Sequence, residues 1–276
     1  MTIAATQAPL DMTAIAREWF RREPRFAAAA VVFAALALPT LVAMALDGRT
    51  HQDINIWIKP LKFTVSIVVY LGTLAWFAGW LRWETTQKRW FRRFSIIVVV
   101  ASVLEILWVY GAAANGIASH YNREGVMAAL YGVAGIVVMI VMTAAPVYAW
   151  GIAKNPRLML SPVFRASVIQ GLWLTFILTV IMASVLSAQP NHWVGGNASD
   201  AEGSLVFGWA RDGGDLRAAH FFSLHAMHFI PAAGLLMAMA EQPRRMAAAA
   251  SALFTAFTIY VFVEALMGRP FLFGLL

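Results

Sequence analysis

Seven stretches of roughly 20 apolar residues constrain this chain more than any other feature of its sequence, because each is long enough to cross a bilayer. Hydrocarbon offers no water to backbone N–H and C=O groups, so a crossing segment must satisfy them internally, as a helix does. Hydrophobic residues make up 61% of the 276 residues and charged residues only 13%, which leaves too little polar surface for a soluble globule. The predicted fold class is an all-α integral membrane protein of seven transmembrane helices. The spans are read as 26–46, 58–81, 94–116, 126–152, 166–187, 216–240 and 247–267.

The formal charge of +7 points to the bilayer rather than to nucleic acid once the charges are placed. Lys and Arg number four before the first span and five, three and two in the loops after spans two, four and six, leaving seven on the other side. The positive-inside rule then predicts a cytoplasmic N-terminus and a periplasmic C-terminus in a bacterial inner membrane. Residues 1–25, with Arg17, Arg21, Arg22 and Arg25 around Trp19 and Phe20, read as a cytoplasmic amphipathic segment on the lipid surface, followed by a heptahelical domain over 26–276. Ala43 and Ala45 form an A-x-A pattern, but the apolar run before them is too long for a cleaved signal core. Cysteine is absent, which removes disulfides, thiolate metal sites and cysteine nucleophiles.

Function is sought among ionisable residues inside the spans. Span six carries His220, His225 and His228; the last two, three apart, share a helix face. Pro231 cannot donate to the carbonyl of Met227, which predicts a bend and a freed acceptor beside His228. At 1.5 Å per residue, His220, His225 and His228 lie about 6, 14 and 18 Å below the outer edge, and Glu105 of span three lies about 16 Å from the opposite edge. Two tiers are predicted: an outer one of Lys59, Lys62, His220 and Glu264, with Glu264 in contact with one of the lysines, and a midplane one of Glu105, His225 and His228. An acid at mid-span costs about 2.5–3.5 kcal/mol unless it is paired, neutral or facing a cavity, so Glu105 is expected to face inward. The loop histidines His51, His120 and His192 are expected to be solvated.

The periplasmic loop 188–215 holds six glycines and the acids Asp200, Glu202, Asp212 and Asp215; it reads as a flexible hydrophilic connector or as a lid over the outer mouth. Asp215 is placed to cap span six. Span seven lacks the lysine that opsin-type retinal binding requires, and no HExxH, P-loop or Gly-x-Ser-x-Gly motif occurs. His225, His228 and Glu105 are candidate cofactor ligands. With His220 they form a candidate transition-metal set, since imidazole and carboxylate suit zinc, copper or iron. Haem held by one histidine and another ligand, and a quinone, are further candidates.

The segments WIKPLKF (57–63) and GGDLRAAHFFSLHAMHFIP (213–231) resemble stretches of uncharacterised multi-pass bacterial inner-membrane proteins, which implies that location and no particular activity. Three function classes follow: a redox or metal-handling protein with a periplasm-facing metal, haem or quinone site; a proton-coupled small-solute transporter of 3+1+3 helices with spans one to three and five to seven as parallel halves; and an assembly or structural subunit whose partner is chiefly the lipid bilayer.

Overall fold

A computed structural model describes residues 11–274, with side chains to residue 272; residues 1–10 of the predicted N-terminal segment lie outside the described residues. It comprises α1 (Met12–Arg22), α2 (Pro24–Leu46), α3 (Ile58–Phe77, extended by a 3-10 turn to Trp80), α4 (Trp83–Thr86), α5 (Arg89–Ala114), α6 (Gly125–Met142), α7 (Ala144–Ala153), α8 (Pro162–Ala188), α9 (Leu216–Met239) and α10 (Arg245–Leu266). Seven spans among the described residues are long and apolar enough to cross a membrane: α2, α3, α5, α6 with α7, α8, α9 and α10. Two short antiparallel pairs, β1 (Thr50–His51) with β2 (Ile54–Asn55) and β3 (Trp193–Val194) with β4 (Gly214–Asp215), order the loops at one end. That end is called the long-loop end below, and the other the short-loop end.

The boundaries follow local chemistry. Asp215 caps α9 by accepting from the amide of Arg217 at 2.9 Å. At the far end of α10, Gly268 takes a left-handed φ of 72°, Arg269 N–H reaches Glu264 O at 3.0 Å and Gly268 N–H reaches Ala265 O at 3.1 Å. This is a Schellman ending. Span three starts at Arg89 rather than 94, and span four breaks at Thr143 into α6 and α7. Pro146 supplies the reason for the break, since it lacks the N–H that Met142 O would accept. Tyr70 OH donates to the nearby Val141 carbonyl at 3.1 Å, and Thr143 Oγ1 donates to Ile140 O at 2.6 Å. Arginines from neighbouring segments cover other helix ends: Arg123 reaches the carbonyls of Ser187, Ala188 and Gln189, Arg165 those of Ile152, Ala153 and Asn155, and Arg49 that of Ala114. Cations there complement the negative pole of the helix dipole.

Helices α2, α3 and α5 pack on one another, as do α8, α9 and α10, and the α6–α7 span joins the groups by touching α5 on one side and α8 on the other. The tightest pairing is α8 against α9, where small residues let the backbones close. A Cβ on Gly171 would stand 2.9 Å from Ala226 O and 3.0 Å from the Pro231 ring, and one on Gly234 would collide with Ser167. Thr175 Oγ1 accepts from the amide of Met227 at 2.7 Å, so the Pro231 region of α9 is held by α8. At the short-loop end the core gathers round Tyr148, whose ring lies 6.2 Å from Phe26 and 6.0 Å from Phe91. A second, aromatic core at the long-loop end joins Trp209 and Phe207 of the 188–215 loop to Phe221, Phe222 and Phe257.

Gly234→Ala is expected to cost about 1–3 kcal/mol through overpacking against Ser167. Gly132→Ala, with nothing within 4 Å of the added methyl, serves as the control. Thermal unfolding in detergent should show a lowered midpoint for the first and an unchanged one for the second.

Candidate functional site

Helices α3 and α9 both start at the long-loop end, so they run parallel, one in each three-helix group, and polar side chains meet between them. The imidazoles of His225 and His228 face each other with their Nδ1 atoms 3.2 Å apart and ring centroids 5.0 Å apart. His228 Nε2 lies 2.9 Å from the hydroxyl of Thr73 on α3. Two proton arrangements satisfy both contacts. In one, His225 donates to His228 and His228 donates to Thr73; in the other, Thr73 donates to His228 and His228 donates to His225. The Phe221 ring packs on His225 at 4.3 Å.

The remaining predicted residues are distributed around this chain. His220, one turn and more toward the long loops, has an Nδ1 buried without a hydrogen-bond partner among the described residues. It lies within electrostatic range of His225 and of His120. Glu105 is 4% exposed, and its Oε2 also lacks a partner among the described residues. The charge it feels is that of Lys59 rather than the histidines. The midplane tier read from the sequence divides: Glu105 lies within electrostatic range of Lys59 and makes no hydrogen bond to the histidine pair, which meets Thr73.

The outer tier also divides. Lys62 donates to the carbonyl of Phe207 at 2.8 Å and so pins the 188–215 loop. Glu264 is paired with Arg269 at 3.1 Å, and no ion pair within 4 Å links it to Lys59 or Lys62. The Schellman turn at Gly268 brings Arg269 back over Glu264, a neighbour that depth along the helix cannot reveal. Among the described residues no three His, Asp or Glu side chains are grouped to hold a metal ion, so His220, His225, His228 and Glu105 are not assembled as a ligand set. His228 has both ring nitrogens within hydrogen-bond distance of protein groups.

The 188–215 loop is a fitted cap. Asp200 and Asp215, both buried, hold Arg217 of α9 at 2.7 and 2.6 Å, and Arg217 also reaches Gly208 O. His192, 3% exposed, donates from Nε2 to Asp200 at 3.3 Å. His120 enters the same mouth from the 115–124 loop, bonded to Ser119 and set between the rings of Phe63 and Tyr131. The expectation of solvated loop histidines is thus corrected for His192 and His120, because the loops fold back over the bundle and bury them. Burial, aided by the Lys59 charge, holds His51 below the usual histidine range and His120 well below it. His192 is lowered mainly by burial. Asp200 would be raised by burial, but hydrogen bonds from His192 and Arg217 hold it at about 2.

No family model, curated protein or solved structure matches this chain.

All these shifts are downward, so the unfolded loops bind more protons than the folded cap once the pH drops below the ordinary value of each group. The histidine contribution is intact above about pH 6.5 and declines as the pH falls below it, whereas that of Asp200 is lost only as the pH falls from about 3.9 toward 2. Proteolysis of the 188–215 segment is expected to quicken between pH 7.5 and 5.5. Arg217→Met, which strands two buried carboxylates, should cost roughly 3–5 kcal/mol and open the segment at both pH values.

Proposed function

We propose that this chain is a proton-coupled carrier of a small solute in a bacterial inner membrane, with its N-terminus in the cytoplasm and its C-terminus in the periplasm. The observation that carries this reading is the His225–His228–Thr73 chain lying between two three-helix groups that a fourth span links. Carriers built as two halves place their working groups where the halves face each other, and rocking of one half on the other alternates access. Parallel helices α3 and α9 are the counterparts here, each the second span of its group.

The two hydrogen-bond arrangements of the chain interconvert when His225 passes its Nδ1 proton to His228, His228 passes its Nε2 proton to Thr73, and Thr73 releases its own. A proton taken up from water at His225 Nε2 is thereby matched by one that Thr73 gives to water in the groove it lines, and reorientation of the rings resets the chain. His220 and His120 extend the titratable series toward the long-loop mouth. Glu105 lies within electrostatic range of Lys59, which enters α3 at the long-loop end. The cap over 188–215, tied by Lys62 and Arg217, covers the entrance.

Purified protein in liposomes loaded with a pH-sensitive dye tests this directly. An imposed potential should drive proton uptake, and His228→Ala should reduce the rate at least tenfold while leaving the unfolding temperature within a few degrees. Equal uptake by the variant and the parent would sink the relay. Reporter fusions should place the 82–93 loop on the cytoplasmic side; a periplasmic signal there would overturn the orientation.

A further inference from the structure

Helix α1 is amphipathic, with Met12, Ile15, Ala16, Trp19 and Phe20 on one side and Arg17 and Arg21 on the other. Its apolar side does not simply float on lipid. The Trp19 indole N–H donates to Gly72 O on α3 at 2.8 Å, and Arg22 donates to Trp76 O at 2.8 Å while its guanidinium lies 3.9 Å from the centre of the Trp76 ring. Gly72 and Gly79, two turns apart on α3, make room for these two side chains. A Cβ at Gly72 would sit 3.1 Å from the Trp19 ring, and one at Gly79 would sit 2.7 Å from Arg22. Asp11 caps the helix, accepting from the amides of Thr13 and Ala14. Trp19 and Thr73 line the same groove of about 410 Å³ with Val68, Val69 and Trp76. The residue that receives the indole thus directly precedes the residue that meets His228.

We propose that α1 is the inner closure of the α3–α9 seam: docked on the Gly72/Gly79 track, it bars the Thr73–His228 pair from the aqueous phase at the short-loop end, and undocked, it exposes that pair. The proposal rests on reading the seam as the working site. Its physical basis is that both anchors are side chains of α1 held by main-chain carbonyls and glycine gaps of α3, contacts that release together when the helix tilts away. Arg22 carries a charge that gains water on release, so the docked state is poised rather than locked.

The chain has no cysteine, so introduced thiols report alone. Thr73→Cys, nearly isosteric, reports access to the pair, and a spin label on Ala14→Cys reports docking of α1. In vesicles treated with a membrane-impermeant thiosulfonate at the short-loop face, Thr73→Cys should react slowly. Adding Gly79→Leu, or the milder Trp19→Phe, should speed it tenfold or more for the first and less for the second. The Ala14 label should become mobile in the same order. A mobile label with an unchanged Thr73→Cys rate would overturn the proposal, as would a label that stays immobile in both variants. Proton uptake is measured in parallel on α1 variants with Thr73 intact. Its absence throughout counts against the carrier reading, and the accessibility result stands apart from it.

Discussion

Inside a bilayer a polar side chain has no water to accept or donate its hydrogen bonds, and this single constraint arranges the interior of the bundle. Thr73 and His228 answer it for each other across the boundary between the two halves. His225 answers it through His228, and Lys62 through a carbonyl of the capping loop. Among the described residues the constraint is left unmet at Glu105 Oε2 and His220 Nδ1, at Trp193 Nε1 of the capping loop, and at Ser95 Oγ and Tyr148 OH toward the short-loop end.

The strength of packing is divided to match. Within the second group, α8 and α9 approach closely through Gly171, Gly234 and Ser167. Between the groups, α3 and α9 meet through the Thr73–His228 hydrogen bond, beside an apolar core that Val168, Leu172 and Met227 share with Leu71 and Leu74. Bonds of that kind break and re-form at modest cost, since measured interhelical polar contacts average about 0.6 kcal/mol.

The spans were legible because hydropathy and length report directly on the bilayer, and Asp215 marked the start of α9 by known local chemistry, whereas the break between α6 and α7 was read as one continuous span. The shared face of His225 and His228 was legible for the same reason, being set by helix geometry alone. Partners across helices were not. Depth placed Glu105 level with the histidine pair, but depth says nothing of rotation, and no hydrogen bond joins Glu105 to the pair. Glu264 found Arg269 because a turn of the chain, not a neighbouring helix, supplied the nearest charge. Thr73 carried no signal at all: a single hydroxyl in an apolar span is ordinary until its partner is known. The burial of His192 and Asp200 depended on how the long loop folds, for which their polarity predicted the opposite.

The central claim is that Thr73 and His228 act as one unit joining the halves, and a double-mutant cycle on proton uptake measures it most directly. Thr73→Val, His228→Phe and the double variant would be compared with the parent in the same liposomes. Each single change is expected to slow uptake by a similar factor, with the double variant no slower than the worse single one. Losses that multiply, with the double variant slowed by the product of the two factors, would show the residues to be independent and would contradict it.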